Sequence, residues 1–328
     1  MPQAIVMRRY GGPEVLAVED VALAPLKPDE IRVRAIASAV NHSDLKIRAG
    51  DHPIKRVPPF PYVPGLEVVG EVVEVGSAVR EFSVGDRAIT MMQGTGGLRA
   101  KRDGGYAEFV AMPAAIAAPV PTDLDPHDVA ALGLASVTAF EGLRKLGDLD
   151  GRGIVITGAS GGVGSAAIGI ARARGARVIG IVSRTERADY VRSLGADEVR
   201  IASEVESGTL GVETIDGALD TVAGALFSPC VNALRDGTTL SVVGAVGGGE
   251  VTFDAYHLLN VTLTGYSSET LDGASLRAAM TKICQWLRDR KLKPPARTIL
   301  PLQEAARAHA ALEARGIEGR ILLMSGRA

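Results

Sequence analysis

The chain has 328 residues, 46% of them hydrophobic, enough apolar material for two domains with separate cores. Its 36 Lys and Arg against 38 Asp and Glu leave a net charge of −2, which argues against partnership with nucleic acid or an anionic membrane surface. Two cysteines far apart in sequence, Cys230 and Cys284, cannot build a disulfide framework or a thiolate zinc site. No apolar run reaches membrane-spanning length and the opening "MPQAIVMRRYGG" has no signal-peptide core, so the expectation is a soluble, cytoplasmic protein.

The first third reads as short strands. "AIVM", "EIRVRAIASAV", "EVVGEVVEVG", "FSVGDRAI" and "AEFVAM" are alternating or β-branched runs broken by Pro and Gly, a spacing that suggests a small barrel. Near Asp123 the texture changes. "DPHDVAALGLASVTAFEGLRKLG" has helical spacing, with Asp125 and Pro126 as start signals and Gly147 as a stop. From Gly153 strands alternate with helices through "GIVITG", "RVIGIVS", "GALDTVAG", "TLSVVGAVG" and "NVTLTGYS", the mark of a parallel, doubly wound α/β sheet. "SLRAAMTKICQWLRDRKL" is a further helix, stopped by Pro294-Pro295, and "GIEGRILLMSG" is a late strand that could rejoin the first domain.

The run "GIVITGASGGVGSAA" carries the chemistry. Gly158, Gly161 and Gly164 stand as G-x-x-G-x-x-G between a buried strand and a helix whose apolar face is Val163, Ala166, Ala167, Ile170 and Ala171. Gly158 suits the tight turn, Gly161 and Gly162 let a ligand approach the main chain, and Gly164 lets the helix sit close to the strand. The helix start then offers free N–H groups and a positive dipole end to a pyrophosphate. A P-loop is excluded because no Gly-Lys-Ser/Thr follows.

The second strand ends in Ser183-Arg184-Thr185, with Arg187 beyond, where NAD sites place a carboxylate to receive the adenosine ribose. A guanidinium grips a phosphate through two parallel bonds, so this end favours NADPH. Ser183 or Thr185 could also cap the next helix, Ser183 and Glu186 matching a capping box, with the arginines merely solvated; the two readings are compatible.

Over essentially its full length the chain resembles the zinc-free, zeta-crystallin-like quinone oxidoreductases of the medium-chain dehydrogenase/reductase superfamily. The segments that carry the resemblance are "NHSDLKIRAG", "VPGLEVVGEVVEVGSAV", "VGDRAI", "GGYAEFV", "GLASVTAFEGL" and "TGASGGVGSAA". It implies a GroES-like β-barrel domain, residues 1–122 completed by 268–328, and a Rossmann NADPH-binding domain, 123–267, with the cofactor in the cleft between them. It also implies a homodimer paired through "NVTLTGYS". Zinc-dependent alcohol dehydrogenases carry Cys where Asn41 stands and His where Leu66 stands, and often a cysteine-rich lobe where "MMQGTGGLRAKRDGG" has none. Asp44 and Glu67 remain, but two carboxylates without thiolate or imidazole make a poor zinc site, and His42 and His52 are isolated loop histidines; no metal is expected.

Carried over by position, Ser160, Gly161, Gly162 and Val163 would cradle the pyrophosphate, and Ser183, Arg184 and Arg187 would meet the 2′-phosphate. Thr138, Val243, Gly244, Ala245, Tyr266 and Ser267 would border the nicotinamide, and Asn41 would face its ribose or the substrate. Each has a plain alternative: Thr138 bonding back within its helix, Gly244 an ordinary turn, Tyr266 ordinary packing. Lys46 and His52 stand where many relatives carry Tyr. Lys46 adds charge near the cofactor or substrate or is a surface lysine; His52 is a candidate proton donor or an exposed loop histidine, Tyr62 is a further candidate donor, and both stand with Asn41 as candidate catalytic residues.

Without a Lewis acid to polarise an alcohol, the expected reaction is hydride transfer from NADPH to an electron-poor acceptor, which needs proximity and donors near the developing oxyanion. A quinone is the preferred acceptor, solvent supplying the proton. The enzyme alternative is reduction of an enone or enoyl thioester, kept open by the basic stretches "IKRVPPF" and "LRAKR". An alternative of another class is a non-catalytic, crystallin-like or redox-sensing NADPH-binding protein.

Overall fold

The alternation in "EIRVRAIASA" buries Ile31, Val33, Ala35 and Ala37 and makes this stretch the centre of the first of two large sheets. In the computed structural model, which describes residues 1–52, 60–91, 102–206, 210–211, 214–315 and 317–325, the early strands are β1 Gln3–Val6, β2 Ala17–Asp20, β3 Glu30–Ala39, β4 Glu67–Val75, β5 Arg87–Met91, β6 Phe109–Pro113 and β7 Ala117–Val120. Next come β8 Gly153–Ile156, β9 Arg177–Val182, β10 Glu198–Ile201, β11 Gly217–Asp220, β12 Thr239–Val242 and β13 Thr262–Gly265, then β14 Arg297–Pro301 and β15 Arg320–Met324. The helices that position the site are α1 His42–Ala49, α2 Pro126–Arg144 and α3 Gly162–Ala173.

The chain forms two compact units. The first comprises Met1–Leu134, Ser268–Cys284 and Ala296–Ala328. Its seven-stranded sheet runs β14-β15-β3-β4-β5-β7, with β6 also on β3. The late strand β15 lies antiparallel to β3, Leu323 opposite Ser38, and so returns to the unit that opens the chain. Ile31, Val33, Val68, Val72, Phe82, Val110 and Met112 fill its core.

The second unit comprises Ala135–Ser267 and Gln285–Pro295. Its six strands are parallel in the order β10-β9-β8-β11-β12-β13, a doubly wound sheet whose strand order reverses between β8 and β11. Ile154, Val155 and Ile156 of β8 are wholly buried, as a central strand covered on both faces must be. Leu292 of the Gln285–Pro295 segment packs over Gly169 on α3, where a Cβ would lie 2.4 Å from its Cδ1.

Two sequence expectations need correction here. The run from Asp125 to Gly147 reads as one helix, but α2 breaks at Gly133, which takes φ 34°, ψ −136°. Residues 123–134, assigned by sequence to the nucleotide domain, cluster with the first unit, and 285–295, assigned to the first domain, cluster with the second.

Candidate functional site

In the second unit the residues expected to hold a dinucleotide follow the carboxyl ends of parallel strands, where ligands of such sheets bind. Register places the ends side by side: Leu219 opposite Ile156, Asp220 opposite Val242, and Val242 opposite Gly265. Ser160–Val163 follow β8, Ser183, Arg184 and Arg187 follow β9, Val243–Ala245 follow β12, and Tyr266 and Ser267 follow β13. From the β9 end to the β13 end the row spans four strand intervals, roughly 19 Å.

The glycine turn has the physical reasons the sequence suggested. Gly158 has φ +60°, and a Cβ there would lie 2.4 Å from Thr221 Oγ1. A Cβ on Gly164 would lie 2.2 Å from the Gly158 carbonyl oxygen, so only glycine lets α3 approach β8 this closely. Gly161, exposed, is the N-cap of α3; the first helical bond closes from the Ser165 amide to its carbonyl at 2.8 Å. The amides of Gly162, Val163 and Gly164 precede that bond and are orphans of the helix start. Helix starts with such free amides suit anions in general.

After β9 the capping box expected of Ser183 and Glu186 is not what caps the next turn. Arg184 is the N-cap of the single turn Thr185–Arg187, and no side-chain bond caps it. Ser183 and Arg184 are exposed and Arg187 half-buried beside the strand end.

The first unit holds a buried polar cluster around Asn41, the N-cap of α1. Asn41 Nδ2 donates to Glu67 Oε1 at 2.9 Å and to the Ala39 carbonyl at 3.2 Å, and Arg320 Nη2 donates to Asn41 Oδ1 at 2.9 Å and to Glu67 Oε1 at 3.0 Å. Glu67 Oε2 accepts the Leu134 amide at 2.7 Å. The break at Gly133 makes that last bond possible: a Cβ there would lie 1.9 Å from the same oxygen. Burial pushes the Glu67 carboxyl up, while Arg320 chiefly, then Asn41 and Leu134, hold it down.

Asn41 therefore spends both its N–H donors inside the protein and keeps only a carbonyl lone pair, so it is no donor for a developing oxyanion. The other candidates stand on separate stretches of the first unit. His52 lies beyond the opposite end of α1, roughly 12 Å along the helix axis. Lys46 is exposed on α1, and Tyr62 is buried with its backbone paired to Met7. Of the basic stretches at 54–60 and 98–102, residues 54–59 and 98–101 lie outside the described residues, and Arg102 pairs with Glu30.

A second buried chain of bonds, absent from the sequence reading, backs this cluster. Asp44 accepts the Asn41 amide at 2.9 Å and the Leu66 amide at 3.0 Å, and its charge disfavours ionisation of the neighbouring Tyr106 hydroxyl. Tyr106 OH lies 3.3 Å from His309 Nε2, and Arg48 Nη1 lies 3.3 Å from His309 Nδ1. Arginine only donates, so His309 Nδ1 accepts and its Nε2–H points at the Tyr106 hydroxyl. Burial, reinforced by Arg48, pulls His309 down to about 3, and burial raises Asp44 to about 7.

These shifts act oppositely on stability. His309 is held below its ordinary 6.5, so the unfolded chain takes up its proton first and stability falls as pH drops from 6.5 toward 3. Asp44 is held above its ordinary 3.8, so its folded state keeps the extra proton and stability falls as pH rises from 3.8 toward 7. His309→Gln, which can still accept from Arg48 and donate to Tyr106, is expected to flatten the acid limb of melting temperature against pH. An acid limb as steep as that of the parent protein would show that His309 does not carry it.

The sequence reading missed Arg320, Asp220 and Gly133. A weak signal existed for the first two: a charged residue opens the apolar "RILLM" and another closes the apolar "GALD". Nothing marked Gly133.

Residues 27–122 match the family described as alcohol dehydrogenase GroES-like domain, and 162–285 the one described as zinc-binding dehydrogenase. Over 98% of its length the chain is 33% identical to quinone oxidoreductase of Sus scrofa, covering 97% of that protein. It is 37% identical to 2-methylene-furan-3-one reductase of Solanum lycopersicum over 57% of this chain and 49% of that one. A mycobacterial protein solved in complex with NADPH superposes with a TM-score of 0.83 at 29% identity, covering 99% of this chain and all of that one.

Around Asn41 the described residues offer a poor donor set for the zinc in the second family's description. Glu67, the carboxylate beside Asn41, has both oxygens bonded and a guanidinium against it, a poor neighbourhood for a dication. Among the described residues no group of three His, Cys, Asp or Glu could hold a metal ion. With the GroES-like and doubly wound units in place and full-length identity to a quinone oxidoreductase, the chain belongs to the zeta-crystallin-like quinone oxidoreductase family of the medium-chain dehydrogenase/reductase superfamily.

Proposed function

We propose that this protein is an NADPH-dependent, zinc-independent reductase of quinones. The observation that carries the reading is the glycine turn opening α3, with Arg184 and Arg187 rather than a carboxylate after the next strand. The Gly162–Gly164 amides would hold the pyrophosphate and the two arginines the adenosine 2′-phosphate, which assigns the nucleotide to the second unit. The bound nicotinamide supplies the hydride. Asn41 contributes a fixed carbonyl acceptor, and no side chain is assigned as the acid, since a reduced quinone can take its proton from water.

Support comes from the Sus scrofa relative and from the NADPH complex of the mycobacterial neighbour. The Solanum lycopersicum relative favours a second reading, reduction of a conjugated carbon–carbon double bond. NADPH oxidation with a benzoquinone, a naphthoquinone, an enone and an enoyl thioester separates the two, and the expected result is highest turnover on a quinone. NADPH binding with no turnover on any acceptor would favour a purely binding role. In the Arg184→Ala/Arg187→Ala variant, NADPH affinity is expected to fall at least about tenfold with NADH affinity little changed. An equal loss for both cofactors would remove the arginines from the phosphate site.

We further propose a homodimer. β13 is an edge of the six-stranded sheet, and the turn just before it leaves Tyr256 78% and Leu259 77% exposed. Pairing β13 with its copy would cover both, and light scattering is expected to return the mass of two chains. Among the described residues no helix is long and apolar enough to cross a membrane. Both cysteines are buried thiols, in keeping with a cytoplasmic location.

A further inference from the structure

The turn that follows β11 is held by an unusual amount of buried bonding. Asp220 is wholly buried. Its Oδ1 accepts from Thr157 Oγ1 at 2.6 Å and from the amides of Val222 and Ala223 at 2.9 Å each. Thr157 Oγ1 in turn accepts the Thr221 amide at 2.8 Å, and Thr221 Oγ1 donates back to the Thr157 carbonyl at 2.8 Å. Among the described residues Asp220 Oδ2 has no hydrogen-bond partner, so all the work of this carboxylate goes through one oxygen.

What that oxygen holds is strained. Ala223 sits at φ 57°, ψ −144°, a region that glycine enters freely and that a Cβ opposes. The turn is also confined on both sides. A Cβ on Gly158, in the loop after β8, would lie 2.4 Å from Thr221 Oγ1, and one on Gly244, in the loop after β12, 2.7 Å from the Thr221 carbonyl oxygen. Gly247 completes the clasp through its amide on the Val222 carbonyl at 2.8 Å. The turn thus fits between two glycine loops at the point where the strand order reverses, and an alanine relaxing toward ordinary angles would push it into one of them.

We propose that Asp220 is a positioning residue for the dinucleotide: its carboxylate pins the Thr221–Ala223 turn in the shape that lets the β8 and β12 loops keep their ligand-binding form. The inference rests on reading this end of the sheet as the nucleotide site. Asp220 need not touch the ligand; it acts through the turn and through Gly158.

The test measures NADPH affinity by fluorescence and melting temperature on the full chain. Asp220→Ala is expected to weaken NADPH about tenfold or more. Asp220→Asn, which keeps an acceptor oxygen for Thr157, Val222 and Ala223, recovers most of that loss. Adding Ala223→Gly to Asp220→Ala also recovers affinity, because glycine holds the turn without the carboxylate's grip. A structural defect elsewhere in the core would not be mended by a glycine at 223. The proposal is overturned if Asp220→Ala binds NADPH like the parent, or if the double variant stays as weak as Asp220→Ala. Should Asp220→Ala fail to fold, a tenfold loss in Asp220→Asn at the parent's melting temperature overturns it instead. Failure of the unaltered protein to bind NADPH or NADH would refute the nucleotide site itself, a separate outcome.

Discussion

Arg320→Ala is expected to destabilise the protein by about 3–5 kcal/mol, the cost of stripping one partner from a buried ion pair. Its side chain is 7% and that of Glu67 2% exposed, so water cannot replace the guanidinium. The loss is threefold: Glu67 keeps a buried charge without its counter-ion, Asn41 Oδ1 loses its donor, and the register of β15 on β3 loses the side chain at its entrance. Glu67→Gln in the same background should restore much of the stability by removing the orphaned charge. Denaturant unfolding of the three proteins checks this, and a single-variant loss below about 1 kcal/mol, the range of a solvent-exposed pair, would mean the pair is not buried in solution. The result matters because this cluster occupies the position where zinc-dependent relatives carry ligands, and here it serves to lock Asn41.

Gly164→Ala should damage both folding and nucleotide binding. The new Cβ would lie 2.2 Å from the Gly158 carbonyl oxygen and 2.7 Å from the Ala159 Cα, both backbone atoms that cannot step aside. α3 must then lift from β8, at a cost of about 1–3 kcal/mol for overpacking, and the anion cradle at its N-terminus moves with it. NADPH affinity is expected to fall more than about tenfold alongside the melting temperature. Gly161→Ala is the contrast, since its Cβ would meet only the Gly158 carbonyl oxygen, at 3.2 Å, on the exposed side of the turn. That variant should melt near the parent while binding NADPH less well, because the methyl occupies the ligand's side. If Gly164→Ala binds normally, the turn is not the cradle.

The parallel sheet and its glycine turn were legible in sequence because each rests on local patterning. Buried strands need unbroken apolar runs, as in "GIVI" and "RVIGIV", and a strand-to-helix turn at this separation needs glycine at Gly158 and Gly164. The returning strand β15 was legible for the same reason, though its partner β3 was not, because pairing between residues 322 and 39 leaves no local trace.

Fold class, the doubly wound order of elements and the glycine turn that opens α3 were thus determined by the sequence alone, since neighbours in the chain create them. Tertiary structure alone decided what Asn41 can do. Its donors are consumed by Glu67 and Ala39 and one lone pair of its carbonyl by Arg320, from positions up to 279 residues away in the chain. It likewise decided that Gly133 breaks α2 to free an amide for Glu67, and that Asp220 grips the turn beside Gly158. A buried polar group must find its partner wherever the fold brings one, and that partner's distance along the chain is invisible to any reading of neighbours.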